Sequence, residues 1–152
     1  MNIKVSGITS LKQLQQLDGL AVDFAGLVFY KPSPRYAGDK FSKKEIKSAD
    51  LDIKTVGIFL NADYDYIMEV LEEFELDMVQ LNGDESPELC ESLAEHTSVM
   101  KTFKLEEESG KAIDKIIADY DECCDYYLFD KAPKKGVGSE GKKFNWKNIA
   151  DA

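Results

Sequence analysis

Short apolar runs alternate strictly with helical patterns along this chain, in six strand–helix units, and that alternation limits the fold more than any other feature. Ile3 to Ser6 reads as a first strand, and Ser10-Leu11-Lys12-Gln13 has capping-box form with Leu11, Leu14 and Leu17 at helical spacing. Asp23 to Tyr30 is a continuous apolar run, the pattern of a strand covered on both faces. Lys31 to Tyr36 is loop, because Pro32 and Pro34 interrupt regular structure. Ser42-Lys43-Lys44-Glu45 is a second capping box, opening a short helix. Lys54 to Leu60 is the third strand, and Asp63 to Phe74 an amphipathic helix. Met78 to Leu81 is the fourth strand, followed by the Ser86-Pro87-Glu88 start of a helix running to about His96. Ser98 to Lys104 and Tyr126 to Asp130 are the fifth and sixth strands, on either side of a helix over Lys111 to Tyr120. A glycine- and lysine-rich loop, Lys131 to Lys143, leads to a last helical turn at Phe144-Asn145-Trp146.

Alternation with near-continuous apolar strands means an α/β chain with a parallel sheet. An open doubly wound sheet and a closed eight-stranded barrel both fit. Ser6-Gly7-Ile8-Thr9-Ser10 lacks the repeated glycines of a dinucleotide fingerprint, which disfavours nucleotide binding.

The 152 residues fit a single domain, 1–152, with a sizeable core. A net charge of -10 argues against nucleic acid or an anionic membrane surface as the main partner. The three cysteines, Cys90, Cys123 and Cys124, are odd in number, two are adjacent, and none lies in a Cys-x-x-Cys pair. That spacing argues against a disulfide framework and against a zinc or redox site, and free thiols point to a reducing, cytoplasmic setting. No signal peptide and no apolar run of membrane-spanning length is expected.

Lys4-Val5-Ser6-Gly7-Ile8-Thr9, Gly26-Leu27-Val28-Phe29-Tyr30, Ser33-Pro34-Arg35-Tyr36, Val56-Gly57-Ile58-Phe59 and Val79-Gln80-Leu81-Asn82-Gly83-Asp84-Glu85 occur in that order. With Leu128-Phe129-Asp130 and the stretch from Gly138 to Trp146, they closely resemble the phosphoribosylanthranilate isomerase family of tryptophan biosynthesis, from end to end of the chain. The resemblance implies a TIM (β/α)8 barrel and an Amadori rearrangement by general acid–base catalysis. Its ligand would be a phosphosugar–anthranilate small molecule, with no metal and no organic cofactor. It also implies two further β/α units that supply a phosphate site, so the chain holds six of eight. Closing a barrel needs all its strands. The expectation is therefore a longer polypeptide, or otherwise a fragment that pairs with something; oligomeric state is left open.

Asp130 ends a buried strand, where desolvation can raise a carboxyl pKa, and it matches the family's general acid. Ser6 stands where the family has the cysteine expected to be the general base. A cysteine there is activatable, whereas a serine hydroxyl needs a base of its own. The sole histidine, His96, falls on a helix away from the rim, so a Ser-His-Asp hydrolase is disfavoured. Ser6 is then a natural weakening, an inactivating substitution, or a base replaced by another group. The alternative function is a catalytically silent barrel homologue that keeps the ligand site for regulation or assembly.

Arg35 matches the arginine expected to hold the anthranilate carboxylate, a task suited to a bidentate guanidinium. Asn82 stands where the family commonly has histidine, and with Gly7 it completes the expected substrate-binding set. Gln80 is expected to line the barrel interior. Lys134 to Lys143 reads equally as an anion-binding loop or a solvated one. Trp146 is expected in helix–barrel packing, and Cys123 and Cys124 as inert.

Overall fold

The structure, a computed structural model, describes residues 1–42, 44–105 and 113–131. The expected loop from Lys131 to Lys143, the turn at Phe144-Asn145-Trp146 and the start of the Lys111–Tyr120 helix thus lie largely or wholly outside the described residues.

Strands β1 (Lys4–Ser6), β2 (Phe24–Val28), β3 (Lys54–Phe59), β4 (Met78–Leu81), β5 (Ser98–Leu105) and β6 (Tyr126–Lys131) form one parallel sheet in chain order. Helices α1 (Leu11–Asp18), α2 (Tyr64–Phe74), α3 (Pro87–Ala94) and α4 (Ile113–Ile117) come after β1, β3, β4 and β5. Sequential parallel pairing is the order that right-handed β–α crossovers generate when each strand joins its predecessor.

The sheet is curled. In a flat sheet β2 and β6 would lie about 19 Å apart, four spacings of ~4.8 Å. Yet Phe24 on β2 meets Tyr126 on β6 edge-on, with ring centroids 5.7 Å apart. The curl gives the strands an inner and an outer face. Phe24, Val56, Met78 and Met100 form a small inner cluster with Leu128 against it. The outer residues, among them Ala25, Leu27, Phe59, Val79, Leu81 and Val99, join the helices in the main core. The strands are near-continuously apolar because both faces are covered.

One aspartate device recurs at the N-terminal ends of the strands. Asp23, Asp77 and Asp125 each precede a strand and accept a backbone N–H from the start of the strand before it: Ile3, just ahead of β1, Thr55 and Val99 respectively. Each bond pins register where the ladder begins, which a parallel pair lacks a tight turn to do.

Local chemistry accounts for the helix starts. Ser10, Asp63 and Ser86 accept from the backbone N–H three residues on. Gln13 departs from the reciprocal box: its side chain accepts from Thr9 N–H at 2.8 Å. Only half of the Ser42 to Glu45 box forms: Glu45 Oε2 accepts from Ser42 N–H at 3.1 Å, while Ser42 Oγ donates to the same carboxylate and Glu45 N–H goes to the Ser42 carbonyl. It opens only a turn and a 3₁₀ segment, Lys47–Ala49, because Ser48 turns back onto the Lys44 carbonyl and Asp50 is left-handed. Helix α3 stops at Ala94, earlier than the expected His96.

Candidate active site

Parallel strands bring all their C-terminal ends to one rim, where the loops can build a site. Two cavities compete for attention. One of about 650 Å³ flanks α1, lined by Val5, Ile8, Leu17, Leu20, three glutamines and Gly19, and offers no ionisable side chain. The other, about 520 Å³, opens at the rim and is lined by Ser6, Gly7, Tyr30, Arg35, Ile58, Gln80, Asn82 and Asp130 among others. Its volume suits a small ligand. It gathers every site residue expected from the sequence, from β1, β4, β6 and the loops after β1 and β2.

Arg35 reaches the cavity through a pre-ordered loop. Ser33 Oγ accepts from Arg35 N–H at 3.2 Å, and the loop rejoins the sheet through a Val28–Tyr36 bridge. Its side chain lies across Gly7, where a Cβ would fall 2.8 Å from both Arg35 Cδ and Nη1. Gly7 also has φ +84°, a conformation costly for other residues. The Gly7 amide is engaged with the Gly26 carbonyl at 2.8 Å, so what Gly7 offers is room for Arg35. No described carboxylate forms an ion pair with Arg35, which leaves the guanidinium available to an anion.

Asp130, near the end of β6, is half-buried, and one carboxylate oxygen accepts its neighbour's Lys131 N–H at 2.8 Å. Gln80 lies on β4, and Asn82 follows one residue beyond its end. Gln80 is buried, and its amide donates to Asn82 Oδ1 at 3.2 Å and to Thr102 Oγ1 at 3.1 Å. That leaves Gln80 Oε1 facing β1.

There it meets Lys4, which sequence reasoning passed over. Lys4 Nζ lies 2.6 Å from Gln80 Oε1 and 2.7 Å from Ser6 Oγ. Burial pulls the Lys4 ammonium down to about 8. The space for this pair comes from β2: a Cβ at Gly26 would fall 2.8 Å from Ser6 Oγ and 3.1 Å from Lys4 Nζ. The signal was available, since a residue two before Ser6 on a strand shares its face.

Behind the rim, the loop after β4 is held by a buried ion pair. Lys101 Nζ is 3.0 Å from Glu85 Oε2, with the side chains 3% and 1% exposed. Glu85 also accepts from Asn61 and Gly83 N–H, while Lys101 donates to the Gly83 carbonyl at 2.7 Å. Each charge is therefore matched by further hydrogen bonds, the condition for burying a pair.

A family model described as N-(5'-phosphoribosyl)anthranilate (PRA) isomerase matches residues 3–152. The N-(5'-phosphoribosyl)anthranilate isomerase of Parabacteroides distasonis is 33% identical over 148 residues, covering 96% of this chain and 65% of that protein. The crystal structure of phosphoribosyl anthranilate isomerase from Thermotoga maritima superposes with a TM-score of 0.84 at 29% identity, over 99% of this chain and 71% of that one. A phosphoribosyl anthranilate isomerase solved in complex with reduced 1-(o-carboxyphenylamino)-1-deoxyribulose 5-phosphate matches with a TM-score of 0.67 at 25% identity, over 88% of this chain and 76% of that one. The curled six-stranded sheet is thus of TIM-barrel type, and the chain spans about two thirds of the length of the relatives it matches.

Proposed function

Because the chain belongs to the N-(5'-phosphoribosyl)anthranilate isomerase family, we propose that it rearranges N-(5-phosphoribosyl)anthranilate to 1-(2-carboxyphenylamino)-1-deoxyribulose 5-phosphate. The observation that carries this reading is the shared cavity of Ser6, Arg35 and Asp130, an acid–base pair and a guanidinium that no described carboxylate pairs with, around one space. The reaction is an internal aldose-to-ketose shift, so oxidation at one carbon balances reduction at the next. Three free cysteines suit a cytoplasmic setting.

Asp130 donates a proton to the ribose ring oxygen as the bond from that oxygen to C1 breaks, which opens the sugar to a C1 iminium conjugated with the anthranilate ring. Loss of the C2 proton then places the C2 electron pair between C1 and C2, giving an enolamine. Gain of a proton at C1 and loss of the enol proton complete the ketone. Arg35 pairs with the anthranilate carboxylate through its planar fork. Asn82, oriented by Gln80, faces the substrate as a neutral hydrogen-bonding group.

The base is Ser6 acting with Lys4. A serine hydroxyl alone is too weak an acid to serve. With a neutral amine at 2.7 Å, Ser6 can accept the C2 proton while passing its own to Lys4 Nζ. With a pKa of about 8, roughly one amine in ten is neutral at pH 7. Lys4 is then a positioning and proton-holding residue behind Ser6, and this favours an active enzyme over a silent homologue.

Turnover of phosphoribosylanthranilate by the purified protein tests the assignment. The natural protein should convert it, Asp130→Asn should lose about 10²-fold or more in kcat, and Ser6→Cys should be at least as active as the parent. Binding of the product without turnover by either the parent or Ser6→Cys would overturn the reading in favour of a silent ligand-binding barrel.

A further inference from the structure

Away from the rim, the fold brings together three thiols that the sequence separates. Cys90 lies on α3, whereas Cys123 and Cys124 lie in the loop entering β6. Their sulfurs all fall within 4.8 Å of one another, and Cys123 Sγ and Cys124 Sγ are 4.0 Å apart. None of the three lines the rim cavity.

This arrangement is close to what a metal imposes. Zinc held at about 2.3 Å from each sulfur in a tetrahedron sets the sulfurs ~3.8 Å apart. A contraction of under about 1 Å from the 4.8 Å limit reaches that geometry. Adjacent cysteines ordinarily point to opposite sides of an extended chain. The turn preceding β6 lets Cys123 and Cys124 face one point. Cys90 and Cys123 are buried and Cys124 half-buried, which leaves one open side for an ion and a water.

We propose that Cys90, Cys123 and Cys124 bind one zinc ion as three thiolates, with water in the fourth position. Among the described residues no carboxylate or imidazole completes the set. Soft thiolates select zinc or monovalent copper. Zinc is favoured by charge: three thiolates and Zn²⁺ leave one negative charge, against two for a monovalent ion. Because Tyr120 OH donates to the Glu85 carbonyl at 2.9 Å, the ion would also brace α3 and the β6 entry against the loop after β4. The proposal does not depend on the isomerase reading.

The test is retention of zinc by the reduced, purified protein. After one equivalent of Zn²⁺ and dialysis against metal-free buffer, about one zinc per chain should remain. Cobalt in its place should give the near-ultraviolet sulfur-to-metal absorption and the visible bands of a tetrahedral site. Cys124→Ser, at the half-exposed position, and Cys90→Ser should each weaken zinc by roughly a hundredfold or more, beyond what loss of an outer partner costs. The thermal midpoint should rise with zinc in the parent and not in Cys124→Ser. His96→Gln should bind as the parent does. Failure to retain zinc, retention equal to the parent's by both cysteine variants, or loss of zinc in His96→Gln overturns the site. A metal-free product two hydrogens lighter, with Cys90 and Cys124 joined, overturns it in favour of a disulfide.

Discussion

Lys4 on β1 and Gln80 on β4 are joined across the interior of the sheet, Nζ to Oε1 at 2.6 Å, although two strands lie between them in the hydrogen-bonded order. The curl that permits this bond also buries the amine and presents it to Ser6. The consequences for pH, packing and substrate binding can each be measured.

Lys4→Met should remove a limb of the pH profile. In the parent, kcat/KM should rise with pH through about 8 as the amine becomes neutral. The variant should lack that rise and lose about 10²-fold in kcat with KM little changed. A purely structural lysine would leave the profile's shape intact. The same group affects stability: its folded pKa of about 8 is below the ordinary 10.5, so the unfolded chain binds more protons between those values. Stability contributed by Lys4 therefore increases as pH rises from 8 to 10.5, and the variant's melting advantage should shrink over that window.

Gly26→Ala should separate the two side chains without replacing either. The added Cβ would meet Ile58 Cδ1 at 2.7 Å and Ser6 Oγ at 2.8 Å. Overpacking of this kind costs about 1–3 kcal/mol, readable in urea denaturation. The expected signature is a fall in kcat larger than the change in KM. Retention of full kcat would show that the Lys4–Ser6 contact is dispensable.

Arg35→Lys should behave nearly as Arg35→Ala, because a point charge does not replace a planar fork. Both should raise KM for the carboxylated substrate by about tenfold or more, the loss of one charge-assisted bond. Gly7→Ala should reproduce much of that effect, since its Cβ would displace the Arg35 side chain, and its φ of +84° adds backbone strain of about 1–2 kcal/mol. Substrate titration against each variant checks both.

Glu85→Ala should be among the most destabilising single changes at the rim, costing about 3–5 kcal/mol by chemical denaturation. It strands the Lys101 ammonium, 3% exposed, and leaves the N–H groups of Asn61 and Gly83 without their acceptor. Replacing Lys101 by Met in the same chain should recover part of the loss. An additive double variant would show the pair to be uncoupled.

Much of the fold was legible in the order of residues. Apolar runs such as Phe24–Val28 and Met78–Leu81 are strands because both faces are covered, and Ser10, Asp63 and Ser86 start helices by local hydrogen bonds. Ser6, Arg35, Asn82 and Asp130 were expected together from the family resemblance, and they line one cavity because parallel strands deliver their ends and the loops that follow to one rim. The Ser42–Glu45 box misled on helix length, since a cap satisfies donors at a start and does not set how many turns the backbone then makes. Gly7 lines the cavity as the resemblance leads one to expect, and what the sequence does not show is that its missing Cβ makes room for Arg35.

By itself the sequence determined the alternation of strand and helix, which depends on residue type and near-neighbour spacing, and its motifs carried the resemblance to the family, through which Asp130, Arg35 and Ser6 were expected as site residues. Only the tertiary structure decided what closes around Ser6 and Lys4 from the other strands. Lys4, Gly26 and Gln80 come from three strands, and Cys90 and Cys124 from a helix and a distant loop. Such contacts require the curl of the whole sheet, which brings residues that are 76 apart in the chain, as Lys4 and Gln80 are, within hydrogen-bond distance.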